Sequence, residues 1–185
     1  MNGSASPEEI NLNEASYMTV KSKIGSHSLI CTSEVDTYIG DELLEADEKR
    51  KLENFVEIKS KSNGYHAMKK IYQRDYLKWW TQSFLVSTPT IICGYRNSKS
   101  GIIENVKVHK VKDLPHLAKE NGAKWNPSTM MNFLDSFLET VKEVVKEDNI
   151  STVYKFTFNN DIPSIVPKIN VEVFHNDEKY TFVKY

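Results

Sequence analysis

Phe55-Val56-Glu57-Ile58-Lys59 is the stretch on which the reading of the chain turns. Phe55 to Ile58 is apolar and β-prone apart from Glu57, which predicts a short buried strand. Side chains alternate faces along a strand. Val56 and Ile58 are therefore expected to enter a core, while Phe55, Glu57 and Lys59 share the other face. A carboxylate and an ammonium then stand side by side. Upstream, Leu29 to Asp36 repeats the device, with Glu34 and Asp36 on one face and Val35 on the opposite one. Three carboxylates and a lysine on two neighbouring strands suit hard divalent cations and an oriented water. Acids and a lysine are also common on solvated sheet faces, so the pattern leaves both readings open.

Outward from this strand, Asn63-Gly64 breaks the chain and His66 to Leu85 reads as one helix. Leu77, Trp80 and Phe84 make its expected apolar stripe. Lys78 and Gln82, at i and i+4, make a polar pair on another face. Pro89 stops the helix. Thr90 to Tyr95 and Ile102 to Val111 read as a hairpin-like pair of strands around the loop Asn97–Gly101. Asn126-Pro127 is a helix start, with Asn as N-cap and Pro at the first helical position. Ser128 to Lys146 then predicts a core-covering helix. Ser16–Lys23, Ser151–Phe158, Asn170–Phe174 and Tyr180–Tyr185 are strand candidates, and Gly40–Leu52 is a charged surface connection. The order β-β-α-β-β-α-β-β predicts an α+β fold, a mixed sheet flanked by two main helices. Residues 1–15 are expected to be a mobile polar tail and 16–185 one domain.

Composition narrows the function classes. The 185 residues suffice for a real core, with 39% hydrophobic and 26% charged residues. No apolar run approaches the ~20 residues that span a bilayer, and the polar N-terminus does not read as a signal peptide. The net charge of −1 excludes bulk electrostatic binding of nucleic acid and leaves a local basic groove as the route. Cys31 and Cys93 read as buried reduced thiols of an intracellular protein.

Other features carry two readings each. Trp79 and Trp80 suit base stacking or core packing. His27, beside serines, suits a hydrogen-bonded structural role, because no second His or Cys lies at a zinc spacing. Arg96 ends an apolar strand and suits phosphate binding or an ion pair.

Gly25-Ser26-His27-Ser28-Leu29, Glu34-Val35-Asp36, Glu57-Ile58-Lys59, Leu77-Lys78-Trp79-Trp80-Thr81-Gln82-Ser83-Phe84-Leu85, Gly94-Tyr95-Arg96-Asn97 and Trp125-Asn126-Pro127 together resemble the DXO family of decapping 5′-end RNA nucleases. The order and spacing match from Tyr17 onward, and the Lys78–Leu85 segment is the most specific. The resemblance implies a core of restriction-nuclease type, PD-(D/E)XK. It implies Glu34, Asp36, Glu57 and the Ile58 carbonyl as ligands of Mg²⁺ or Mn²⁺. It implies Glu57, Lys59 and Gln82 as catalytic residues, and Glu34, Lys59, Gln82 and Arg96 as substrate contacts. The implied chemistry is removal of incomplete or non-canonical caps such as NAD caps, hydrolysis of 5′-triphosphate ends, and 5′→3′ exonuclease action.

The implied ligand is the RNA 5′ end, with no DNA and no membrane, in the nucleus, the cytoplasm or both. Ser33 replaces the glycine usual before the glutamate. The family's upstream segment, with its arginine motif and a further metal-ligating glutamate, is expected to lie before the region matched here. Its lack predicts a weakened site and exposed apolar surface for a partner protein. The alternative is a catalytically degenerate member that binds RNA or a protein.

Overall fold

A computed structural model describes residues 15–40, 51–159 and 168–175. The expected tail, most of the 40–52 connection and the strand at Tyr180–Tyr185 lie outside the described residues. The chain divides into two compact units, Met1–Asp135 and Ser136–Tyr185. Among the described residues no helix is long and apolar enough to cross a membrane.

In the first unit, β1 (Ser16–Ile24) and β2 (His27–Val35) form an antiparallel hairpin. Gly25 takes the turn at φ 54°, a left-handed conformation that suits glycine. A four-stranded sheet follows in the order β3 (Thr37–Tyr38), β4 (Phe55–Ser62), β5 (Thr90–Arg96), β6 (Ile103–Lys110). β4 and β5 are parallel, and the other neighbours are antiparallel. The expected mixed sheet is therefore present. A parallel pair needs a crossover, and here it consists of α1 (Tyr65–Lys70), a π-helical stretch (Ile71–Asp75) and α2 (Tyr76–Leu85). A short α3 (Leu114–Glu120), absent from the sequence reading, follows β6. α4 (Pro127–Val144) begins as expected: the Asn126 side-chain oxygen accepts from the Ser128 and Thr129 N–H groups at 2.8 and 3.3 Å.

Alternation along β5 builds the core. Ile91, Cys93 and Tyr95 share one sheet face and are fully or almost fully buried against Ile71, Tyr76, Trp79, Trp80, Leu114 and Ala118. His109 of β6 pairs across from Ile91 and joins this face. Its ring nitrogens meet the hydroxyls of Tyr95 (3.1 Å) and Tyr76 (3.4 Å). A neutral imidazole has one donor and one acceptor nitrogen, so one tyrosine donates and the other accepts. Burial holds the His109 pKa below its ordinary value, with Lys107 adding to the effect. Burial also pushes the Tyr76, Tyr95 and Cys93 pKa values up.

The second unit takes in the rest of α4 and an antiparallel pair, β7 (Thr152–Asn159) and β8 (Lys168–His175). Phe137 meets Phe156 edge to face at 5.6 Å between ring centroids.

Several expectations need correction. Val56 is buried, but Ile58 is 53% exposed. β3 pairs with β4 only at Phe55 and Val56, so the sheet edge beside Ile58 has no strand partner among the described residues. Helix α2 buries Tyr76, Trp79, Trp80 and Ser83 in place of the stripe through Leu77 and Phe84. Phe84 is 48% exposed and stacks on Trp80 at 4.7 Å. Helix α4 has no fully buried residue; Met130 and Met131 only pack against the edge of the core. The strands do not make one sheet, since β1–β2 and β7–β8 stand as separate pairs. Cys93 is buried, but Cys31 is only half-buried; both are free thiols. Trp79 and Trp80 are core residues. Buried His27 lies 3.4 Å from the Asp135 carboxylate, but its Nδ1 has no hydrogen-bond partner among the described residues, so the hydrogen-bonded role expected of it is not found.

Candidate active site

β4 presents Glu57, Lys59 and Lys61 in alternation on the face that carries Ile91, Cys93 and Tyr95 on β5. The helices cover β5 fully and β4 partly, so these three polar side chains stand at the rim of the core. The Lys59 ammonium contacts the Glu57 carboxylate directly, as the strand pattern predicts. Asp36, just after β2, accepts a hydrogen bond from the Ile58 N–H at 2.7 Å. The N–H and C=O of one strand residue point the same way across the sheet. The Ile58 carbonyl therefore faces the β4 edge on which Asp36 sits.

A cavity of about 340 Å³ gathers Glu34, Asp36, Glu57 and Gln82, with Cys31 and Ser33 also in its wall. A second cavity, of about 350 Å³, is lined by Lys59, Lys61, Arg74, Lys78, Asp75 and Gln82, among others. Gln82 belongs to both walls. Its place follows from helix spacing: α2 turns its aromatic side to the core and the Lys78–Gln82 line outward.

The expected pairing of the two acidic strands is not found. β2 pairs with β1, and β4 with β3 and β5. The three carboxylates share a cavity but not a coordination shell. Among the described residues, no three His, Cys, Asp or Glu side chains stand together so as to hold a metal ion. The donor chemistry nevertheless fits Mg²⁺ or Mn²⁺, which take hard oxygen ligands: three carboxylates line one cavity, and the Ile58 carbonyl faces the edge at which Asp36 sits. Arg96 ends β5 at an irregularity in its pairing with β6, is exposed, and lines neither cavity. Lys61, Arg74 and Asp75 were not singled out from the sequence. The period-two run Glu57, Lys59, Lys61 was the signal for the first of them.

Known proteins resemble this chain in sequence and in fold. The family model described as RAI1 like PD-(D/E)XK nuclease matches residues 2–183. This chain belongs to the RAI1-like PD-(D/E)XK nuclease family. Among curated relatives, the decapping and exoribonuclease protein of Xenopus laevis is 31% identical over 179 residues, covering 94% of this chain and 41% of that one. Among solved structures, the S. pombe Rai1 is 29% identical at a TM-score of 0.61, covering 76% of this chain and 44% of that one. The Candida albicans Rai1, solved in complex with pU5-Mn²⁺, shares the fold at a TM-score of 0.74 and 19% identity, covering 92% and 44%. The resemblance and the α+β nuclease fold expected of a RAI1-like chain are thus borne out. This RAI1-like chain spans about two fifths of the length of the Xenopus relative it matches.

Proposed function

We propose that this chain carries metal-dependent hydrolysis at RNA 5′ ends. One observation supports the reading above others: Glu34, Asp36, Glu57 and Gln82 line a single cavity in a chain of this nuclease family. Relatives named decapping and exoribonuclease proteins, and the fold shared with a Rai1 solved with pU5-Mn²⁺, support RNA and a divalent cation. Glu34, Asp36, Glu57 and the Ile58 carbonyl would hold the cation. When bound, such an ion lowers the pKa of water and offsets phosphate charge. Lys59, in contact with Glu57, would stabilise negative charge developing on a phosphate there. Gln82 offers an amide to orient the substrate. Glu34 would contact RNA as the resemblance implies, with caps, 5′-triphosphates and 5′-monophosphate ends as the substrate range; Arg96, which lines neither cavity, would reach RNA only where the strand extends beyond them.

The decisive experiment incubates the purified chain with 5′-monophosphate RNA and Mn²⁺, with and without chelator, beside Glu57→Gln. Chelator-sensitive hydrolysis lost in the variant is the expected outcome. Hydrolysis that survives both treatments refutes the site.

The second reading is a degenerate member that binds RNA without cleaving it. It is favoured by the lack of a preassembled metal cluster among the described residues. Metal-independent binding with no turnover identifies it. A protein partner is a further proposal, supported by the apolar surface at Ile58, Val106 and Val108. The free thiols support a reducing nuclear or cytoplasmic setting.

A further inference from the structure

Strand β2 joins two places. It starts at the turn Gly25–His27 and ends just before Asp36, at the acidic cavity that Glu34 lines. The hairpin it belongs to is thinly held. Of the residues of β1 and β2, Val20 and His27 alone are buried, and neither strand is paired with the four-stranded sheet. A two-stranded ribbon is marginally stable by itself, so its place depends on what fixes it.

Two contacts fix the ends of β2. At the cavity end, the Ile58 N–H donates to the Asp36 carboxylate at 2.7 Å. At the turn, Asp135 of α4 meets the hairpin. Its Oδ1 lies 3.4 Å from His27 Nε2. The same carboxylate lies so close to Gly25 that a Cβ there would collide with it. The turn therefore uses glycine twice, for its φ of 54° and for this close approach. The His27 side chain is 6% exposed, and neither its Nδ1 nor Asp135 Oδ1 has a hydrogen-bond partner among the described residues. Polar atoms buried in this way carry a cost. What the pair gives in return is a hold on the turn.

We propose that His27 and Asp135 are positioning residues for the Glu34 carboxylate as a cation ligand. The proposal rests on the metal-site reading above and adds to it the means by which β2 is aimed. Leverage makes the turn matter. At ~3.3 Å per residue, Glu34 lies ~7 Å along the strand from Asp36 and His27 lies ~30 Å from it. With Asp36 as pivot, a turn lifted by ~4 Å moves Glu34 by ~1 Å. Mg²⁺ holds its oxygen ligands at about 2.0–2.1 Å in a strict geometry, so a shift of that size detaches one. With the turn clamped to α4, the hairpin is held at both ends and Glu34 stays in the cavity wall.

The test titrates the whole chain with Mn²⁺ and follows free ion by electron paramagnetic resonance, which needs no turnover. Glu34→Gln assigns the bound ion to the cavity by weakening it. His27→Ala and Asp135→Ala are each expected to weaken Mn²⁺ binding roughly three- to tenfold, at or below the low end of what supporting residues of a metal site cost. The measurement is made where melts show each variant folded; Asp135, the more exposed of the two, keeps the test open if His27→Ala unfolds. Acting through one contact, the double variant is no weaker than the worse single one. Acting through Glu34, either change adds nothing to Glu34→Gln. Leu117→Ala, beside the core and outside both cavities, should lower the melting temperature and leave Mn²⁺ affinity alone. Unchanged affinity in the alanine variants, an additive double variant, or an equal loss in Leu117→Ala overturns the proposal, as does a wild-type chain that binds no Mn²⁺. The hydrolase reading fails separately. The expected affinity pattern without RNA hydrolysis keeps the positioning role and removes the hydrolase. Mn²⁺-dependent hydrolysis with unaltered variant affinities removes the positioning role alone.

Discussion

The two faces of the central sheet are made by the same strands and have opposite surroundings. On one, Ile91, Cys93 and Tyr95 are sealed under helices. On the other, Val106 and Val108 are 57% and 61% exposed, alongside Ile58. All are apolar, so hydrophobicity does not distinguish the faces; the covering elements do. The covered face holds the stability of the unit, and its rim at β4 holds the candidate site. At one end the second face also buries Val56 and Thr90, each 1% exposed, so it is open around Ile58, Val106 and Val108 and not along its whole length.

Substitutions on the two faces sharpen this contrast. The largest effect is expected from Ile91→Ala, which should cost about 2–5 kcal/mol in urea unfolding through lost burial and a cavity. An equally tolerant Ile91 and Val108 would erase the distinction. Next, Lys59→Ala should lower turnover about 10²–10³-fold while the urea midpoint moves little, because Lys59 sits at the rim and not inside the core. Full turnover in that variant removes Lys59 from the chemistry.

The third test uses pH. The His109 pKa is held below its ordinary value near 6.5 in the folded state. Above that value the ring is neutral in both states. Below it the unfolded chain takes up a proton that the folded chain resists, so stability should fall from about pH 7 towards about pH 5. His109→Gln should flatten that part of the urea-midpoint profile. The smallest effect belongs to Val108→Thr on the open face, within about 0.5 kcal/mol of wild type. A large loss there would show that the face is covered in solution, and sedimentation of the chain would reveal by what.

The strands around Phe55, Thr90 and Ile103 were legible because β-branched and apolar runs are bounded by turn residues. The extent of the long helix was legible too. Its buried side was not: Leu77, Trp80, Phe84 and Tyr76, Trp79, Trp80, Ser83 both satisfy helical spacing, and the bulk of Tyr76 and Trp79 decides between them. Alternation told which side Ile58 takes but not whether anything lies there. The acids were recognised as one group through Glu34-Val35-Asp36 and Glu57-Ile58-Lys59. Their strands belong to different sheets, since pairing between segments distant in sequence depends on the whole fold. Gln82 was found through its spacing from Lys78 and the family segment around it. The basic cavity was missed because the Arg74–Asp75 stretch lies in the π-helical turn, whose geometry no periodicity announces.

The parallel pairing of β4 with β5 has a kinetic consequence. β5 and β6 meet across a short loop, whereas β4 reaches β5 only after the whole helical crossover has been laid down between them. Closing the longer loop costs more chain entropy, and long-range pairings slow folding. The β5–β6 hairpin can therefore form while β4 is still searching. Glu57 and Lys59 come to their neighbours only when that search ends. Both cavities are thus expected to form later in folding than the β5–β6 hairpin, which pulsed hydrogen exchange of the two strand pairs would check.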